Sequence, residues 1–240
     1  MKIGLFGRGR LGSAIAEAAG TQLAWQIGRE DIPAEKVDVA IEASAAAAVP
    51  ARIAWAIETG TPLLIGTTGW VDADLASKVG SHTALLVAPN FSLTMALYAR
   101  LSLVLARFAA LDEDLDPYLV EHHHARKHDA PSGTARQLAA TLLKGCPRKT
   151  EWVIPAAGAS IAPHQLNVSS IRAGHTYSSH TVGLDGTGET LELHHAARSA
   201  RPYADGALRG AHWIQGRKGL FTMDDVARDL LDPLFQEVAP

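Results

Sequence analysis

One cysteine, Cys146, is the only thiol in a chain of 240 residues. This excludes an internal disulfide and any multi-thiolate metal site, and it fits a reducing compartment. Long apolar runs are missing as well: the first, Ile3 to Phe6, stops at Gly7, far short of a secretion signal's core or a membrane span. The expectation is a cytoplasmic protein with no membrane partner. Charge of one sign is also lacking. Lys plus Arg (22) against Asp plus Glu (25) leaves −3, too balanced for a nucleic-acid binder known by its net charge, so any anion site has to be local. Aromatics make up only 6%, but 47% of residues are hydrophobic and 20% charged, which excludes a disordered, collagen-like or coiled-coil chain.

What is present is a regular alternation. Ile3 to Phe6 reads as a strand running into Gly7-Arg8-Gly9-Arg10-Leu11-Gly12, and helix formers follow from Ser13. Strands predicted at 23–27, 37–41, 62–65 and 84–87 are interleaved with helices at 50–58 and 72–79, the pattern of a parallel sheet covered on both faces. After residue 92 the texture changes. A long helix at 93–109, a strand at 118–124 and a helix at 134–143 precede strands at 152–154, 167–171, 176–184 and 190–195, which suggests a second, mixed or antiparallel sheet. The tail returns to helix at 204–214, and Thr222 reads as the cap of a last helix.

Gly7, Gly9 and Gly12 form G-x-G-x-x-G between a strand and a helix, with another strand about 20 residues on, the setting in which the motif binds a dinucleotide. Gly7 permits the tight turn, Gly9 lets backbone approach a pyrophosphate, and Gly12 lets helix and strand pack. Arg8, Arg10 and Leu11 complete this candidate cofactor loop; the alternative is an ordinary glycine-rich turn. The second strand ends Gln26-Ile27-Gly28-Arg29, where an NAD site wants an acid and an NADP site a cation. Gly28 with Arg29 favours NADPH over NADH, although Arg29 also reads as a solvated loop residue, and Glu30 and Asp31 follow directly.

Glu121-His122-His123-His124-Ala125-Arg126-Lys127-His128-Asp129 concentrates four of the eleven histidines beside an Arg and a Lys. Consecutive histidines on a strand face opposite ways, so a zinc site draws at most two ligands from His122 to His124, and no metal is expected. A solvated strand end is the plainer alternative. The segment, however, runs into Ala130-Pro131-Ser132-Gly133-Thr134-Ala135, where Ser132 caps a helix whose first amides, at Gly133 and Thr134, suit a carboxylate.

The run Glu121-x-His123-His124-x-x-Lys127-x-Asp129-x-Pro131-Ser132-Gly133-Thr134-Ala135 resembles the signature of the 4-hydroxy-tetrahydrodipicolinate (dihydrodipicolinate) reductase family. The likeness extends in order through Gly66-Thr67-Thr68-Gly69, Ala88-Pro89-Asn90-Phe91-Ser92, Ser170-Ile171-Arg172-Ala173-Gly174, His180-Thr181 and Gly219 to Val226. It implies NAD(P)H-dependent reduction of 4-hydroxy-tetrahydrodipicolinate to tetrahydrodipicolinate in lysine and diaminopimelate biosynthesis. It further implies His123 and Lys127 as catalytic acids, and His124, Gly133 and Thr134 as contacts to a small dicarboxylate. Gly66, Thr67, Thr68 and Ala88, Pro89, Asn90, Phe91 are implied as cofactor loops, and the assembly as a homotetramer. In place of the family's usual Asp-Phe-Thr/Ser after the third strand stands Glu42-Ala43-Ser44; the hinge arginine is Arg198 or Arg201. The expected fold is α/β, with a Rossmann-type parallel sheet domain (1–92 plus 205–240) and a second α+β domain (93–204) for substrate and assembly. A non-catalytic NADPH-binding sensor, a reductase of a related cyclic imine and a zinc hydrolase are the competing readings.

Overall fold

In the computed structural model, which describes residues 1–28 and 35–236, the chain divides into two compact units. Residues 1–96 with the segment from 200 onward form one, and 97–199 form the other. Among the described residues no helix is long and apolar enough to cross a membrane.

The first unit holds β1 (Ile3–Phe6), α1 (Arg10–Ala19), β2 (Leu23–Ile27), β3 (Val39–Glu42), α2 (Val49–Thr59), β4 (Leu63–Ile65), α3 (Leu75–Val79) and β5 (Ala84–Val87). Next comes α4 (Leu93–Ala109), within which the division falls. The second unit continues with β6 (Asp116–His123), α5 (Gly133–Gly145), β7 (Glu151–Val153), β8 (Gln165–Arg172), β9 (Ser178–Asp185) and β10 (Thr190–Ala197). The chain then returns to the first unit for α6 (Arg201–Trp213), β11 (Gly219–Thr222), α7 (Met223–Leu231) and α8 (Pro233–Gln236).

The first unit's sheet runs β11-β5-β4-β3-β1-β2 with every pairing parallel. Its strands are apolar on both faces because both faces are covered. Ile3, Leu5, Val39, Ile41, Leu64 and Leu86 join Ile15 of α1 and Ala207 of α6 in one layer, while Phe6, Ala40, Leu63, Ile65 and Leu85 join Ile53 and Trp55 of α2 in the other. The order places β1 between β2 and β3, so the chain winds in opposite directions from β1. The crevice outside the carboxyl ends of β1 and β3 is the place where such sheets bind ligands.

Two local differences from the sequence pattern have physical causes. Asp72 accepts the Asp74 N–H at 3.1 Å and so closes a turn that delays α3 until Leu75. Gly219 to Thr222, which carries only the cap signal in sequence, is also an edge strand paired to β5. Its cap role holds: Thr222 and Asp225 form a capping box at the start of α7.

The second unit's sheet runs β10-β9-β6-β8-β7. The pairs β10/β9 and β9/β6 are antiparallel, whereas β6/β8 and β8/β7 are parallel, so the sheet is mixed. From Pro117 onward β6 alternates between buried and half-buried positions and ends with Glu121 and His123 on its buried face. Tyr98 of α4 pins this sheet from one side: its hydroxyl accepts the Val182 N–H at 2.9 Å and lies 3.1 Å from the carbonyl of His180.

Candidate active site

In the first unit the glycine turn is built as a cradle. Gly7 has φ +121°, and a Cβ there would stand 2.3 Å from the Ala43 carbonyl oxygen, so the turn between β1 and α1 tolerates no side chain. A Cβ at Gly12 would stand 2.5 Å from the Gly7 carbonyl, which is why helix and turn can touch. At Gly9, by contrast, a Cβ would meet nothing within 4 Å, so this N-cap of α1 leaves its backbone open for a phosphate. These features fit a dinucleotide's pyrophosphate. Arg8 and Arg10 are exposed, Arg8 donating to the Gln26 carbonyl at 3.2 Å, and Leu11 packs against the core. Arg29, Glu30 and Asp31 lie outside the described residues.

The loop after β4 brings Gly66, Thr67 and Thr68 to the same carboxyl edge, where Thr67 Oγ1 donates to Glu42 at 3.0 Å. After β5, Ala88 and Phe91 are packed into the core, so only their backbone can face a cofactor; Asn90 Oδ1 accepts the Ser92 N–H at 2.9 Å.

In the second unit the acidic centre is Glu121, fully buried on β6. One carboxylate oxygen accepts from Arg172 at 2.6 Å, Ser170 Oγ at 2.7 Å and the Ser132 N–H at 3.1 Å. The other lies 2.5 Å from His123 Nδ1. Burial pushes the carboxyl up, but contact with His123, Arg172, Ser170 and Ser132 outweighs it and holds Glu121 well below the usual carboxylate range. His123 is 7% exposed, and with Nδ1 engaged its Nε2 is the nitrogen left to exchange a proton.

His180 sits opposite Glu121 in the β6/β9 register, its ring 5.4 Å from that of His123 and its Nε2 3.5 Å from Ser132 Oγ. Burial, followed by the charge of His123, pushes His180 down to about 4. Ser132 caps α5 by accepting the Ala135 N–H at 3.1 Å. Gly133 and Thr134 then occupy its first turn, where backbone N–H groups have no helical carbonyl to meet. Lys127, in the loop after β6, reaches Asp129 at 2.7 Å, and this bond lowers Asp129. His124 is half-buried between β6 and that loop.

Sequence reasoning names His123, Lys127, Ser132 and Gly133 but gives no role to Glu121, Arg172 or His180, although all three stand in its quoted motifs. Only the strand register brings them together. Glu121, His123 and His180 have donor atoms within 4.8 Å of one another, a spacing a metal can use. Glu121 is already matched by Arg172, a cation at 2.6 Å, so the cluster suits proton handling better than a divalent ion.

A parallel sheet with a glycine turn at its switch point, next in the chain to a unit carrying a buried acid–histidine network, has the build of a Rossmann-type oxidoreductase. Residues 28–91 match the family model described as Dihydrodipicolinate reductase, N-terminus, and residues 93–227 match the one described as Dihydrodipicolinate reductase, C-terminus. The chain belongs to the dihydrodipicolinate reductase family. It is 36% identical to the 4-hydroxy-tetrahydrodipicolinate reductase of Zymomonas mobilis, over 94% of this chain and 96% of that one. It is also 36% identical to the reductase of the same name from Akkermansia muciniphila, over 91% and 94%. Among solved structures, the dipicolinate-bound dihydrodipicolinate reductase of Paenisporosarcina sp. TG-14 shares the fold with TM-score 0.69 at 19% identity, covering 92% of this chain and 97% of that one. An amine dehydrogenase from Mycobacterium smegmatis does so with TM-score 0.57 at 11% identity, over 93% and 95%.

Proposed function

We propose that the chain reduces 4-hydroxy-tetrahydrodipicolinate to tetrahydrodipicolinate, with loss of water and oxidation of a nicotinamide cofactor, in lysine and diaminopimelate biosynthesis. The observation that carries this reading is the double duty of Glu121, which holds the proton-exchanging His123 and, through the Ser132 N–H, the start of the helix that offers amides to a carboxylate. Acid and anion cradle are thereby fixed to one buried group.

Gly7 to Gly12 would hold the pyrophosphate, Gly66, Thr67, Thr68 and the backbone of 88–91 the nicotinamide end, and Arg29 a 2′-phosphate. When bound, the cofactor supplies the hydride. The protein's part is to protonate the carbon next to the one reduced: Lys127 gives the proton, and His123, kept in one tautomer by Glu121, shares the transfer. Gly133, Thr134 and His124 bind the substrate's carboxylates. Residues 1–92 with 205–240 serve the cofactor and 93–204 the substrate and assembly into a homotetramer, which a light-scattering mass near four times that of the chain would support. Adding protein to freshly made product of a dihydrodipicolinate synthase should consume NADPH; absence of consumption with both NADPH and NADH would refute the assignment.

Two expected results follow from particular residues. Pyridine-2,6-dicarboxylate should inhibit competitively, since amides at a helix start bind carboxylate regardless of ring saturation. Gly133→Val should remove that inhibition, and unchanged affinity would place the carboxylate elsewhere. The wild-type enzyme should favour NADPH about ten-fold in kcat/KM, the scale of a single charge-assisted contact from Arg29 to a 2′-phosphate that water also solvates. Arg29→Ala should erase most of this preference by weakening NADPH alone; equal use of NADH by the wild type at the same ionic strength would show that Arg29 has no such role.

A further inference from the structure

Arg52 stands where a covered helix ordinarily places an aliphatic residue. It lies on α2 with 1% of its surface exposed, on the side of the sheet where Phe6, Trp55 and Ile65 pack. Its guanidinium sits 4.2 Å from the centre of the Phe6 ring, and one terminal nitrogen donates to the Gly28 carbonyl at 3.2 Å. Its Nε is 4.0 Å from Glu42 Oε2. Glu42, fully buried, accepts at Oε1 from the Ser44 N–H (2.6 Å), Ser44 Oγ (2.5 Å) and Thr67 Oγ1 (3.0 Å). One buried charge pair therefore touches the carboxyl ends of β1, β2, β3 and β4.

A buried ion pair adds little stability over apolar residues of the same volume, so the needs of the core do not explain it. What it fixes is the relative position of strand ends. On the reading that this edge binds a dinucleotide, we infer that Arg52 and Glu42 are positioning residues for the cofactor. Arg52 holds the Gly28 end of β2, beside the adenosine ribose, while Glu42 holds the Thr67 loop, on the nicotinamide side. Neither residue reaches the cofactor itself, since both are buried. Their effect is to keep the carboxyl end of β2 and the Thr67 loop at a preset separation, so that binding does not have to bring them together.

The test compares NADPH binding by fluorescence titration, steady-state kinetics and Tm for wild type, Arg52→Met, Arg52→Lys, Glu42→Gln and the double variant Glu42→Gln/Arg52→Met. Each of Arg52→Met and Glu42→Gln should weaken NADPH binding and raise its KM about ten-fold, with kcat at saturation within about two-fold, the signature of lost ground-state binding. Affinity for pyridine-2,6-dicarboxylate should not change. The double variant, which leaves no lone buried charge, should regain Tm but not NADPH affinity. Arg52→Lys keeps the charge but loses the fork and should fall between; with the double variant it carries the comparison if Arg52→Met does not fold. NADPH affinity that recovers with Tm in the double variant, or that is unchanged in a folded single variant, would overturn the inference and leave the pair a purely structural one. A wild-type protein that binds neither NADPH nor NADH would instead refute the dinucleotide reading, and the inference with it.

Discussion

Lys127→Ala and His123→Ala should each lower kcat by about 10² or more while leaving NADPH affinity close to wild type, the scale general acid help ordinarily supplies. The two losses should not be additive, because both side chains serve one proton transfer. His123→Ala also strands Glu121, but that carboxylate keeps Arg172, Ser170 and the Ser132 N–H, so the fold should survive. Lys127 is a quarter exposed and bonded only to the partly exposed Asp129 in the described contacts, so its removal should cost little stability. Turnover close to wild type in both variants would show that the proton comes from elsewhere. Glu121→Gln keeps the shape of the group beside His123 but removes its charge, and should lower kcat with little change in NADPH affinity. Turnover close to wild type in Glu121→Gln would leave that carboxylate no part in the transfer.

The second large effect is a loss of stability in mild acid. His180 is buried, and its folded-state value is pushed down to about 4 from an ordinary 6.5. A base depressed in this way binds its proton more readily when the chain is unfolded. Its contribution is therefore complete above pH 6.5 and is lost as pH falls from 6.5 toward 4. A shift of that size corresponds to about 3 kcal/mol across the window. His195, which burial also lowers, acts in the same direction. Glu121, held low, adds its own loss only below the ordinary carboxylate range, near pH 4.5 and under. Urea midpoints at pH 7 and pH 4.5 should thus differ widely for the wild type and much less for His180→Gln. The same pH dependence in both proteins would mean that some other group carries it.

Much of this was legible before the fold. The glycine turn, the alternation of short apolar strands with helices and the Ser132 cap are local signals, carried by residues within one turn of each other, and the structure places them as read. The run from Glu121 to Thr134 is equally local. What the sequence could not show is convergence. His180 meets Glu121 only because β9 pairs with β6 in one register, and a slip of one residue would turn its ring to the other face. Arg52 looks like the solvent face of an amphipathic helix until the sheet is seen to bring Glu42, Gly28 and Phe6 around it. Gly219 to Thr222 begins with a glycine and holds only Leu220 and Phe221 as an apolar run, so nothing local announces a strand; its pairing with β5 is what makes it one.

The claim on which the rest depends is that hydride passes from a nicotinamide cofactor to this substrate on this protein. It is tested most directly by running the reaction with NADPH carrying deuterium at both C4 positions of the nicotinamide and measuring the mass of the tetrahydrodipicolinate formed. The expected product is heavier by one deuterium with the wild-type enzyme and forms about a hundred-fold more slowly with Lys127→Ala. Cofactor consumed without label in the product, or substrate left unchanged, would contradict it.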